Sequence, residues 1–245
     1  METKFTKAKE VFRDVVDLNY YVPIASVEKT KADLLQALKQ HEKMIFITGE
    51  AGRGKSMILK SIFNELKDKE KVFYISNPYL EINSILEMLK HIKSDDYQIF
   101  LLDEAQLLSE DTFENLRIYA DKGNITLVFA THDIDIKKLM GKKHFETRVN
   151  YILKVNKATR DEIESFIKTK LLKSNLIDIA EMLKPKNYKL IYKYTKGSLR
   201  ATNQLMFKVF DIIDYFAKKD PSRNFDCISN KYIEMAHMDL KEIYA

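Results

Sequence analysis

The stretch Met44-Ile45-Phe46-Ile47-Thr48-Gly49-Glu50-Ala51-Gly52-Arg53-Gly54-Lys55-Ser56 sets a short apolar run ahead of an octapeptide that satisfies GxxxxGK[ST] at every fixed position. The run reads as a buried strand. The residues that follow, Met57 to Leu66, place Ile58, Leu59, Ile62, Phe63 and Leu66 at the spacing of a half-buried helix. A glycine-rich loop between such a strand and such a helix turns successive backbone N–H groups toward one point, and the helix N-terminus adds roughly half a positive charge there. The pattern implies a cradle for the phosphates of a nucleoside triphosphate, built from Gly49, Glu50, Ala51, Gly52, Arg53, Gly54, Lys55, Ser56 and Met57. Lys55 is the residue that reaches the β- and γ-phosphates. Ser56 offers its hydroxyl to Mg²⁺, a hard cation that prefers oxygen and is shared with the triphosphate.

A second motif lies about two strand–helix units further on. Ile99-Phe100-Leu101-Leu102-Asp103-Glu104 is an apolar run that ends in two carboxylates, so a buried strand delivers both acids to its C-terminal tip. Asp103 is the expected partner of Mg²⁺ through water, and Glu104 the residue that polarises the water attacking the γ-phosphorus. Another strand ends Phe129-Ala130-Thr131-His132-Asp133. If it lies between the strands that carry the two motifs, His132 or, as second choice, Thr131 can touch the γ-phosphate; otherwise the segment is an ordinary strand-to-loop exit. A zinc role for His132 has no support, since no second His or Cys stands at ligand spacing.

Alternation of strands and helices runs from Met44 to about Val155, and helical patterns alone follow. The expected strands are Met44 to Thr48, Lys71 to Ser76, Gln98 to Leu102, Ile125 to Ala130 and Tyr151 to Val155. Helices are expected at Val27 to Gln40, Met57 to Leu66, Leu80 to Ile92 and Ser109 to Tyr119, and later at Leu199 to Lys218 and Tyr232 to Ile243. The reading is a doubly wound α/β domain over residues 1–156, with a linker at 1–26, and a small all-α lid domain over 157–245. The segment Val11 to Ala25 is apolar, aromatic and broken by Pro23. It suits either a strap against the sheet near the nucleotide base or plain core packing.

The chain of 245 residues is 45% hydrophobic, enough for a sizeable core. No apolar run approaches a membrane span, and the N-terminus lacks the pattern of an export signal. With Cys227 as the one cysteine there is no internal disulfide, and the expected location is the cytoplasm. The net charge of +5 comes mostly from scattered lysines, so any DNA contact should be weak.

Arginine is scarce beside lysine, and only a guanidinium grips phosphate oxygens in a fork. Arg148 precedes the last expected strand, and Arg200 opens a helix of the all-α unit. Each reads as a γ-phosphate sensor, Arg148 reaching into a neighbouring subunit and Arg200 carried by the lid, or else as a surface or capping arginine.

Together these residues resemble AAA+ ATPases, with Walker A at Gly49 to Ser56, Walker B at Ile99 to Glu104, sensor 1 at Thr131 and His132, an arginine finger at Arg148 and sensor 2 at Arg200. Leu102-Asp103-Glu104-Ala105-Gln106-Leu107-Leu108-Ser109, continuing to Glu114-Asn115-Leu116-Arg117, is similar to a signature of the general secretion pathway A (ExeA-type) ATPases. Thr195 to Asn203 is similar to their lid motif. The chain departs from them where Thr131-His132-Asp133 stands for the usual Gly-Gln-Pro, and where Leu199 replaces a proline before Arg200. The resemblance implies an ATP-dependent oligomer such as a hexamer. It implies work on a secretion, pilus or DNA-uptake machine, with an inner-membrane protein as partner that holds the chain peripherally at the membrane. The same module also resembles DNA-associated transposition regulators and replication loaders.

Overall fold

The computed structural model describes residues 3–93, 96–133, 151–222 and 224–243. In chain order the elements are α1 (Lys4–Val11), α2 (Ala25–Lys39), β1 (Met44–Thr48), α3 (Lys55–Leu66), β2 (Val72–Ile75), α4 (Pro78–Lys90), β3 (Gln98–Leu102), α5 (Glu110–Asp121), β4 (Ile125–Thr131) and β5 (Tyr151–Lys154). Then follow α6 (Arg160–Lys173), α7 (Ile177–Met182), α8 (Pro185–Thr195), α9 (Leu199–Lys219) and α10 (Asn230–Ile243). They form two compact units, one of residues 26–156 and one of residues 1–25 with 157–245.

In the first unit five parallel strands stand in the order β2-β3-β4-β1-β5. Parallel neighbours need crossovers, and α3, α4 and α5 supply those that lead from β1 to β4. Burial follows position. The strands β3, β4 and β1 have neighbours on both sides and are buried along their whole length, whereas the edge strand β5 leaves Ile152 and Lys154 exposed. On one face of the sheet Phe46 stacks on Phe129 with ring centroids 4.9 Å apart, and Phe113 of α5 closes on Phe129 at 5.0 Å. Met44, Phe100, Leu102 and Leu127 fill the same core. These side chains pin β1, β3 and β4 in register, which fixes the relative positions of the loops at their C-terminal tips.

The second unit is all helical. Helix α6 opens on a capping box in which Thr159 Oγ1 accepts the Glu162 N–H at 3.2 Å and Glu162 Oε2 accepts the Thr159 N–H at 2.7 Å. The turn between α8 and α9 passes through Lys196 and Gly197, both with positive φ. A Cβ on Gly197 would come within 2.2 Å of the Ala158 carbonyl oxygen, so only glycine admits that close approach.

Residues 1–25 belong with this helical unit, not with the sheet. Helix α1 buries Phe5, Ala8 and Val11 and lies along α9. The Thr3 and Thr6 hydroxyls both donate to Asp214 Oδ1, at 2.5 and 2.8 Å, and Phe12 packs on Phe210 at 5.7 Å. Core packing within the helical unit is therefore the role of this part of the segment. The reason is physical: an amphipathic stretch seats on whichever apolar face matches it, and the matching face is on α9. Among the described residues no helix is long and apolar enough to cross a membrane.

Candidate functional site

The strand order puts β4 between β1 and β3, so the loop after β1, the carboxylates after β3 and the polar exit of β4 share one edge of the sheet. Thr48 of β1 is in register with Thr131 of β4, and Leu102 of β3 with Phe129. That is the condition under which Thr131 and His132 join the site, and it is met.

The phosphate loop leaves β1 at Gly49, where a Cβ would lie 2.9 Å from the Val155 carbonyl oxygen. It enters α3 through Gly54, whose φ of 100° suits glycine far better than any residue with a side chain. Arg53 is buried and paired with Glu50, so its charge is spent within the loop. Lys55 folds back on the loop, donating to the Gly49 carbonyl at 2.7 Å and the Glu50 carbonyl at 3.2 Å. Its Nζ also lies 3.5 Å from His132 Nδ1, which brings the β1 and β4 residues together. Thr131 is fully buried, and its Oγ1 has no hydrogen-bond partner among the described residues. A buried hydroxyl without a partner costs about 1–3 kcal/mol.

Asp103 is buried and held at both oxygens. Its Oδ1 accepts the Glu104 N–H at 3.0 Å, and its Oδ2 accepts the Tyr74 hydroxyl at 3.0 Å. Burial, and then the Asp103 charge beside it, push the Tyr74 phenol well above its ordinary range, so it stays a donor. Glu104 adopts the left-handed backbone conformation (φ 50°), unusual for a residue with a side chain, and Gln106 Nε2 donates to its Oε2.

Tyr74 and Gln106 escape a reading of motifs alone. The signal for Tyr74 is its place on β2 beside Leu101, two residues before Asp103. For Gln106 it is the spacing of two from Glu104. Arg200 lies in the helical unit, where its Nε is 3.7 Å from Asp14 Oδ2, and Arg148 lies outside the described residues. Glu114 and Arg117 of the secretion-type signature pair with each other along α5, the guanidinium donating to both carboxylate oxygens at 2.5 and 2.9 Å.

The donor set fits a magnesium–triphosphate ligand: glycines that let the backbone approach, a helix N-terminus, Lys55, the Ser56 hydroxyl and a pre-oriented Asp103. Among the described residues no group of three or more His, Cys, Asp or Glu side chains could hold a metal ion.

A family model described as Novel STAND NTPase 5 matches residues 6–144. The chain belongs to this family. The Novel STAND NTPase 5 match spans the phosphate loop, both carboxylates and the β4 exit. None of the curated protein sequences matches the chain. Among solved structures it is similar to the ORC1 protein of Aeropyrum pernix in complex with DNA, at a TM-score of 0.66 and 16% identity over 98% of this chain and 71% of that one. It is also similar to the Thermotoga maritima RuvB Holliday junction branch migration motor, at 0.61 and 20% over 94% and 73%. Domain III of the Thermotoga maritima replication initiation protein DnaA gives 0.60 and 17% over 91% and 96%. These likenesses are of fold: a Novel STAND NTPase 5 chain with the AAA+ arrangement of a five-stranded sheet followed by helices.

Proposed function

We propose that the protein hydrolyses ATP with Mg²⁺ and uses the cycle to change the state of a protein assembly. The observation that carries this reading is the placement of β4 between β1 and β3, which sets the Lys55–His132 approach at the sheet edge where β3 ends in the two carboxylates. Bound Mg²⁺ would neutralise charge on the β- and γ-phosphates, with Ser56 and, through water, Asp103 as its holders. Lys55 would leave its carbonyl partners for the phosphate oxygens. Glu104 would orient the water and take its proton as the new P–O bond forms and the bond to the bridging oxygen breaks, releasing ADP and phosphate. His132 and Thr131 would contact the γ-phosphate. Arg148 in trans and Arg200 from the helical unit are assigned to the same phosphate by the AAA+ resemblance.

The finer proposal is that the assembly is a membrane-associated secretion, pilus or DNA-uptake machine with an inner-membrane partner. It rests on the similarity of Leu102–Ser109 and Glu114–Arg117 to the general secretion pathway A signature. A second reading, a DNA-associated switch, is favoured by the fold shared with proteins described as DNA-bound, branch-migrating or replication-initiating.

Two variants test the chemistry. Lys55→Ala should abolish ATP binding, while Glu104→Gln should bind ATP and turn it over at least a hundredfold more slowly; equal loss of binding in both would reject the division of roles. For the partner, the protein should sediment with inner membranes only when a membrane protein of the machine is present. Tight, salt-resistant DNA binding that stimulates turnover would select the DNA switch instead.

A further inference from the structure

We infer that Gln106 is the positioning residue of Glu104, fixing one carboxylate oxygen so that the other faces the attacking water. The inference rests on the reading of Glu104 as the residue that polarises that water.

Three observations meet at this point. The backbone of Glu104 is in the left-handed region, which L-residues avoid by roughly 1–2 kcal/mol. It is kept there by the tight turn that follows, in which the Leu107 N–H donates to the Glu104 carbonyl at 3.1 Å and the Leu108 N–H to the Ala105 carbonyl at 3.1 Å, with Ala105 fully buried. The backbone therefore aims the side chain in a direction it would not choose. The side chain itself is then caught by Gln106 Nε2, which donates to Oε2. A glutamate left to itself spreads over several rotamers, and ordering it costs up to about 2 kcal/mol. Here the bond selects one of them before the substrate arrives.

The other end of the Gln106 amide decides between positioning and packing. Its Oε1 is buried and has no hydrogen-bond partner among the described residues. Turning the amide over would satisfy nothing, because it would set two acceptor oxygens against each other, so the charge on Glu104 fixes which end faces it. A side chain present only to fill space would do so without leaving an acceptor unpaired. Among the described residues the one polar bond this side chain makes is to Glu104, and its cost is borne for that bond.

The test compares Gln106→Met, which keeps the length and volume and removes the donor, with Gln106→Glu, which replaces the donor by a second negative charge. ATP turnover and fluorescent-nucleotide affinity are measured for each, and again in the Glu104→Gln background. Loss of a hydrogen bond to a charged group predicts a kcat about tenfold or more below wild type for Gln106→Met, lower still for Gln106→Glu, with Kd for ATP changed less than about twofold. In the Glu104→Gln background Gln106→Met should lower the residual rate no further. An unchanged kcat in Gln106→Met would overturn the inference, and so would a raised one, which would make the bond a brake. If Glu104→Gln itself retains wild-type turnover, the assignment of Glu104 falls, a result distinct from the failure of Gln106 alone.

Discussion

Lys170 offers a stability test whose size can be worked from its surroundings. The side chain is buried in α6, with Nζ donating to Asn203 Oδ1 at 2.9 Å and lying 5.2 Å from the Phe12 and Phe166 ring centres and 5.5 Å from that of Tyr20. Burial pushes its ammonium down from an ordinary 10.5 to about 8, and the Asp14 carboxylate offsets only part of this. Asn203 belongs to the lid-type motif, and Phe12 and Tyr20 to the N-terminal segment, so one cation joins both. A lysine whose pKa is lower in the folded state binds its proton more weakly there than in the unfolded chain. Its penalty is therefore fully present below about pH 8, and stability rises with pH until about 10.5. At 1.36 kcal/mol per unit the full penalty is about 3 kcal/mol, of which about 2 is relieved between about pH 7 and about pH 9.5. Lys170→Met keeps the stem and removes the titration. Urea unfolding of both proteins across that range should show the wild type gaining about 2 kcal/mol relative to the variant. Parallel curves would refute the reasoning, because other lysines and tyrosines titrate alike in the two proteins.

Two further substitutions probe the site. Tyr74→Phe removes one of the two bonds that orient Asp103, so the Mg²⁺ concentration for half-maximal turnover should rise about tenfold, by analogy with other outer-shell partners of metal ligands; an unchanged requirement would remove Tyr74 from the site. Gly49→Ala must push a Cβ against the Val155 carbonyl oxygen, so ATP affinity measured by nucleotide titration should fall more than about tenfold, and near-normal binding would show that the loop yields there.

The sheet was legible in the sequence because its signals are local. Each strand is a short apolar run, and the turns on either side of it are polar, so β1 and β3 fall where the pattern puts them and the other strands differ only at their ends. Helix α1 was not legible. Its small apolar face suits many surfaces, and the choice is made by Asp214, more than 200 residues away in sequence. The phosphate loop and the carboxylates were legible because their chemistry demands fixed spacing. Tyr74 was not, because it reaches Asp103 through the register of β2 on β3, a relation that no spacing along the chain encodes. The pairing of Arg200 with Asp14 has the same origin, a carboxylate brought from the opposite end of the sequence.

The contact between Gly49 and Val155 has a consequence for how the loop tolerates change. At Val155 the nearest atom is the backbone carbonyl oxygen, and the Val155 N–H donates to the Thr48 carbonyl at 2.8 Å, so peptide groups form most of the joint. Every residue type carries that carbonyl, whereas only glycine lacks the atom that would strike it. The joint is thus specified in the sequence mainly at one of its two ends. A scan of all substitutions should find position 49 intolerant and position 155 limited mostly by its buried side chain, so a survey of variation would register half of a contact on which the loop's shape depends.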